Sequence, residues 1–191
     1  MANVAIVYFS GSGHTHLMAQ AVAEGARKVV GDEGVQVTRI TGDQIIEGRW
    51  QGEDILNSLS TVDAIIFGSP TYMGGVAAQF KAFVDAASVV WFQQGWKDKI
   101  AGGFTHSSSP SGDKEGTLLY LFINAQQHSM IWVGTGEMPM QEGGINRLGS
   151  FIGVMGQTVP GSEEAVLEEG DRLTAIGYGQ RVAEATLRWT K

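Results

Sequence analysis

The most concentrated chemistry in the chain lies in Ser10-Gly11-Ser12-Gly13-His14-Thr15. Three hydroxyls surround two glycines, directly after an apolar run and directly before residues with helical spacing. That combination suits a phosphate monoester. Glycines let backbone N–H groups converge, Ser10, Ser12 and Thr15 can donate to phosphate oxygens, and a helix start adds unpaired N–H donors and a partial positive charge. No Lys or Arg lies within the loop, so His14 is its one candidate cation. A nucleoside-triphosphate loop needs Gly-x-x-x-x-Gly-Lys-Ser/Thr, which is missing, and the dinucleotide fingerprint Gly-x-Gly-x-x-Gly is not completed after Gly13. The same residues also fit a plain strand-to-helix turn with Ser12 or Thr15 as the cap.

The elements around this loop set where it must stand. Residues 3–9 form a continuous apolar, β-rich run, as expected of a strand covered on both faces. Leu17, Met18, Ala21, Val22, Gly25 and Val29 then repeat at helical spacing. Further strands are expected at 35–40, 63–67, 99–105 and 130–133, with helices near 53–59, around Phe80, Phe83, Val84 and Ala87, at 117–127 and at 163–189. Residues 134–161 hold eight glycines without a clear period and read as a long excursion within a single domain spanning 1–191. The alternation of strand and helix predicts an α/β fold, a three-layer doubly wound parallel five-stranded sheet, with ligands outside the carboxyl ends of the strands. The loops at 10–15, 68–75 and 105–112 leave such ends.

Composition narrows the function. Acidic residues number 20 against 13 basic, and no basic run exceeds Arg27-Lys28, which argues against nucleic acid as a partner. With no Cys, disulfides, thiolate chemistry and Cys-ligated metal are excluded, and no metal site is expected. The first ten residues enter a strand without the pattern of a signal peptide, and no run approaches the roughly 18 apolar residues of a membrane span. The expectation is a cytoplasmic protein.

The first loop resembles the FMN phosphate loop of flavodoxins, Thr/Ser-x-Thr/Ser-Gly-x-Thr. Gly68-Ser69-Pro70-Thr71-Tyr72-Met73-Gly74-Gly75, followed by Gln79-Phe80-Lys81-x-Phe83-x-Asp85, is similar to the WrbA-type NAD(P)H:quinone oxidoreductases. Trp91 and Gly103-Phe104-Thr105-His106-Ser107 fall in the same order. The likeness runs over residues 3–133 and weakens afterwards, where Gly143 to Gly149 lacks the family's Pro-Tyr pair.

This resemblance implies a flavodoxin-like strand order 2-1-3-4-5 and one FMN. It assigns the phosphate to Ser10, Gly11, Ser12, Gly13, His14 and Thr15, and the ring to Pro70, Thr71, Tyr72, Met73 and Gly74, mainly through main chain. Thr105, His106, Ser107, Ser108 and Gly112 are assigned to the ring edge and ribityl chain. Tyr72 fits either a cover for the ring or a surface aromatic, and His106 fits a cap or surface residue as well as a flavin contact. His128 corresponds to a family His-His-Gly-Met stretch and so to a donor on the substrate side, while a helix C-cap is its plainer role. Arg147 can meet a dinucleotide phosphate or a carboxylate. A Trp near 91–96 either closes a neighbouring subunit's pocket or anchors a core. The implied activity is two-electron, ping-pong transfer from NAD(P)H to a quinone, in a homodimer or homotetramer. The alternative is a one-electron carrier of flavodoxin type. Against it, the stretch from Ser107 to Gly112 offers no aromatic to sandwich the ring.

Overall fold

The apolar run of the first strand leaves it little choice of position. β1 (Val4–Phe9) is buried along its whole length, and a strand apolar on both faces must lie inside a sheet covered on both sides. In the computed structural model, which describes residues 2–139 and 141–191, it runs parallel between β2 (Val35–Ile40) and β5 (Ala64–Tyr72). β7 (Ile100–Ser107) continues the sheet beside β5, in register from Ala64 opposite Ile100 to Pro70 opposite His106.

The fifth place is filled by two short strands. β8 (Ile131–Trp132) pairs with Ile100 and Ala101, and β9 (Val154–Gln157) pairs with Phe104 to Ser107. The order 2-1-3-4-5 is found when β8 and β9 are counted as one interrupted strand. The stretch expected as the fifth strand therefore supplies only its first part. Between the halves the chain leaves and returns through a neck where the Thr135 N–H donates to the Phe151 carbonyl at 2.9 Å.

Alternate side chains of β1 feed two cores. Val4, Ile6 and Tyr8 pack with Met18, Val22 and Ala26 of α1 (His14–Val30) and Tyr178 and Val182 of α6 (Glu169–Trp189). Ala5, Val7 and Phe9 face Leu59 of α2 (Glu53–Thr61), Phe80 and Phe83 of α3 (Ala78–Ala86) and Leu121 of α5 (Lys114–Gln127). Each fully buried large apolar side chain contributes about 1.5–3 kcal/mol. Two small pairs complete the framework. β3 (Ile45–Ile46) and β4 (Arg49–Trp50) form a hairpin before α2, and β6 (Gly75–Val76) folds back on β5. α4 (Ser88–Phe92) extends from α3.

α1 and α6 cross closely because two glycines let backbones touch. A Cβ on Gly25 would fall inside the Ile176 carbonyl, and one on Gly179 would fall inside that of Val22. This contact fixes α1 against the sheet, and with it the loop that precedes α1.

Candidate functional site

The carboxyl ends of β1, β5 and β7 deliver three loops to one cleft of about 630 Å³, a size typical of cofactor sites. The first loop is shaped by its own serine. Buried Ser10 accepts from the Gly13 N–H at 3.1 Å and the His16 N–H at 3.2 Å through its hydroxyl. Gly13 takes φ 96°, a left-handed turn that suits glycine, and α1 starts at the next residue. Ser12, His14 and Thr15 face the cleft. The N–H groups of His14 and Thr15 have no acceptor among the described residues, as at any helix start. A cation stands beside the loop after all. Arg39, the β2 residue opposite Tyr8, donates from Nη2 to the Ser10 carbonyl at 2.8 Å. Reading the loop in isolation misses it, because the guanidinium arrives from the neighbouring strand.

The second loop is a tight hairpin. Thr71 pairs with Val76 and Tyr72 with Gly75, and the two turn residues Met73 and Gly74 have φ 49° and 77°. Both positive angles mark a type I′ turn. Thr71 is set from below, its Oγ1 lying 2.8 Å from Thr105 Oγ1 and donating to Thr117 Oγ1 at 2.7 Å. Tyr72 reaches back towards the first loop, where its hydroxyl occupies the space a Cβ on Gly11 would need.

The third loop is tied by a lysine. Fully buried Lys114, the first residue of α5, donates from Nζ to Ser107 Oγ at 2.9 Å and to the carbonyls of Ser109 and Pro110 at 2.8 and 2.9 Å. Burial lowers the pKa of this ammonium group. His106 is buried rather than superficial, stacked on His14, with its pKa pushed down to about 3, chiefly by burial. Behind it, Arg147 makes a two-point ion pair with Asp171, whose Oδ2 also accepts the Gln157 N–H at 2.8 Å. Burial pushes the Asp171 carboxyl up. The partner of Arg147 is therefore a carboxylate.

Ser12, His14, Thr15, Pro70, Thr71, Tyr72, Met73, Gly74, His106, Ser107, Ser108 and Gly112 all line the cleft. Ser10, Gly11, Gly13 and Thr105 do not. Ser10 holds loop backbone, and Thr105 lies under Thr71. Ser109, Asp113 and Thr158 join the lining without having been anticipated. The Ser-rich run offered a signal for Ser109, whereas Thr158 falls within the stretch 134–161 read as an excursion and offered none.

His128 is not brought to this cleft. It caps α5, its N–H donating to the Asn124 carbonyl, and its ring lies against Trp96 with centroids 4.4 Å apart and the planes tilted by 35°. A helix that begins where β7 ends must run back to the amino ends of the strands, because β8 then pairs parallel with the start of β7. Burial lowers the His128 pKa to about 4. Trp96 is a core anchor, while Trp91 and Phe92 are exposed on α4.

The cleft suits FMN on its own geometry. It has unpartnered N–H groups at the start of α1, hydroxyls on two loops, a hairpin open to a flat ring, and buried Nε2 atoms of His14 and His106 that lack partners. The family model described as NADPH-dependent FMN reductase matches residues 4–143. The chain belongs to that family. FMN and NAD(P)H are thereby its cofactors.

Among known structures, this FMN reductase family member is similar to a flavodoxin, WrbA-like protein from Agrobacterium tumefaciens. The two are 43% identical over 98% of this chain and 99% of the other, with a TM-score of 0.76. It is 39% identical to Flavodoxin FldP of Pseudomonas aeruginosa, over 96% of both chains. It is 34% identical to an NAD(P)H dehydrogenase (quinone) of Archaeoglobus fulgidus, over 96% of this chain and 97% of that one. No helix among the described residues is long and apolar enough to cross a membrane.

Proposed function

We propose that the protein is an FMN-dependent NAD(P)H:quinone oxidoreductase working by a ping-pong cycle. The observation that carries this reading is the open cleft. Tyr72 and the paired imidazoles of His14 and His106 are the aromatic rings in its lining, and the third loop contributes Ser107 to Ser109 where a sandwiching aromatic would stand. One face of a bound flavin is then free for a nicotinamide and afterwards for a quinone. The flavin supplies hydride acceptance and donation. Ser12, His14, Thr15 and the first N–H groups of α1 hold the phosphate, the hairpin from Pro70 to Gly74 holds the ring, and Lys114 sets the loop at the other edge. Relatives named NAD(P)H dehydrogenase (quinone) support this assignment. A cytoplasmic setting fits the use of NAD(P)H.

Exposed Val89, Trp91 and Phe92 on α4, with Leu119 and Ile123 on α5, support a homodimer or homotetramer. Anaerobic stopped-flow mixing tests the activity. NADH or NADPH should bleach the flavin, and benzoquinone should restore its colour within a second push. Failure of both nucleotides to bleach it would reject the proposal.

A second reading, a one-electron carrier, is favoured by the relative named Flavodoxin FldP and by a net charge of −7. Stepwise photoreduction separates the two. Accumulation of a one-electron-reduced form supports the carrier, and direct two-electron bleaching supports the enzyme.

A further inference from the structure

His14 and His106 come from different strand-end loops, yet their rings stack with centroids 4.6 Å apart and an interplanar angle of 16°. His106 is 4% exposed. The Nε2 atoms of both are buried with no hydrogen-bond partner, although buried polar atoms in folded proteins are normally paired. His14 Nδ1 lies 3.3 Å from Ser12 Oγ. This incomplete pair adjoins the unpartnered N–H groups that open α1.

We propose that the pair reads the phosphate of the flavin: when FMN enters, His14 takes one proton from solvent at Nε2, and the neutral ring of His106 supports the imidazolium by stacking. The site then prefers FMN to riboflavin by a margin that grows as pH falls towards about 6, where the phosphate itself begins to take up a proton. The inference rests on the reading that the first loop takes the phosphate.

The surrounding charges favour His14 over His106 as the proton acceptor. Lys114 and Arg147 both act against a charge on His106, with Asp171 already engaged by Arg147. Asp113 lines the same cleft, Arg39 holds the Ser10 carbonyl, and His16 Nδ1 meets the Tyr8 hydroxyl at 2.5 Å. Without ligand, burial holds His14 below its ordinary 6.5, so it is neutral near neutrality. A phosphate dianion within hydrogen-bonding reach favours the charged ring and raises that pKa. The sign follows. The bound-state pKa exceeds the free one, so the extra affinity is lost as pH rises through the bound value, and below about 6 the phosphate takes up a proton of its own and weakens the pair.

Calorimetric titration of the flavin-stripped chain tests this near about pH 7.5, where a phosphate ester with its second pKa of about 6 is already a dianion. Repeating it in buffers of different ionisation enthalpy gives the proton count. FMN should bind with uptake approaching one proton and riboflavin with none. His14→Asn should bind FMN about tenfold more weakly with no uptake. His106→Phe, which keeps a stacking ring, should retain the uptake. A wild-type count of zero, an equal count for riboflavin, or uptake that survives in His14→Asn would each overturn the proposal. Neither nucleotide nor quinone is present, so a protein that counts protons correctly yet fails to oxidise NAD(P)H would reject the enzyme reading alone. Failure to bind FMN would sink the site itself.

Discussion

Lys114 Nζ donates to the Ser107 hydroxyl at 2.9 Å, joining the two ends of the loop that leaves β7. One buried ammonium group thereby sets the positions of Ser107, Ser109 and Pro110. Replacing it with Met keeps the stem but removes the donor shared by the Ser107 hydroxyl and two carbonyls, of which that of Ser109 keeps the Ser107 hydroxyl at 3.0 Å. A hydrogen bond from a charged donor contributes about 1.5–3 kcal/mol. Lys114→Met should therefore lower unfolding stability in urea by that order and weaken FMN binding about tenfold by fluorescence titration. Unchanged FMN affinity would mean that the loop is positioned by something other than this lysine.

The crossing of α1 and α6 provides a stability test. Gly25→Ala or Gly179→Ala forces a methyl group into a backbone carbonyl, so the helices must part. The expected loss is on the order of 3 kcal/mol, at the upper end of overpacking costs. Gly177 lies on the same helix with nothing within 4 Å of its Cβ position. Gly177→Ala should instead gain about 0.5–1 kcal/mol through helix propensity. Urea midpoints for the three variants, at constant slope, check the contrast. Equal effects would show that the crossing is not the constraint.

Much of this architecture was legible because its signals are local. The run in β1, the spacing of Leu17, Met18 and Val22, and Phe80 with Phe83 each announce an element by their own periodicity. Three loops at strand ends followed from the alternation alone. The later part of the fifth strand was not legible, since Val154–Gln157 is short, contains Gly156 and gains its meaning only by pairing with β7. Side chains that act across elements were hidden for the same reason. Arg39 reaches the first loop from β2, and Lys114 reaches back over its own helix start. The place of His128 was implicit in the topology, because a crossover helix returns to the end of the strands opposite the cleft.

That placement has an acid signature. His128 is 3% exposed with no partner for Nδ1, and its pKa falls from 6.5 to about 4 on burial. In the unfolded chain it protonates near its ordinary value, so the unfolded state binds the extra proton first. Stability is lost as pH drops below 6.5, with the loss levelling off near the folded value of about 4. By linkage His128 alone costs about 2 kcal/mol at a pH of about 5. His128→Phe keeps an aromatic against Trp96 and removes this sensitivity, so its urea midpoint should fall less between neutrality and that pH. Quinone turnover should change little if each cleft is complete within one chain. A large selective loss would indicate that His128 serves a cleft on another copy.

Met73 offers the last test, since it separates side chain from backbone at the hairpin. Its side chain is fully exposed, yet its φ is 49°, a left-handed angle that costs an ordinary residue about 1–2 kcal/mol. Asn tolerates that angle, and Asn-Gly is a favoured pair for a type I′ turn. Met73→Asn should raise stability by about 1 kcal/mol in urea without altering the turn. If the ring is held through main chain, FMN affinity stays within about twofold of wild type. An affinity loss beyond about tenfold, with stability gained as expected, would assign the contact to the Met73 side chain instead.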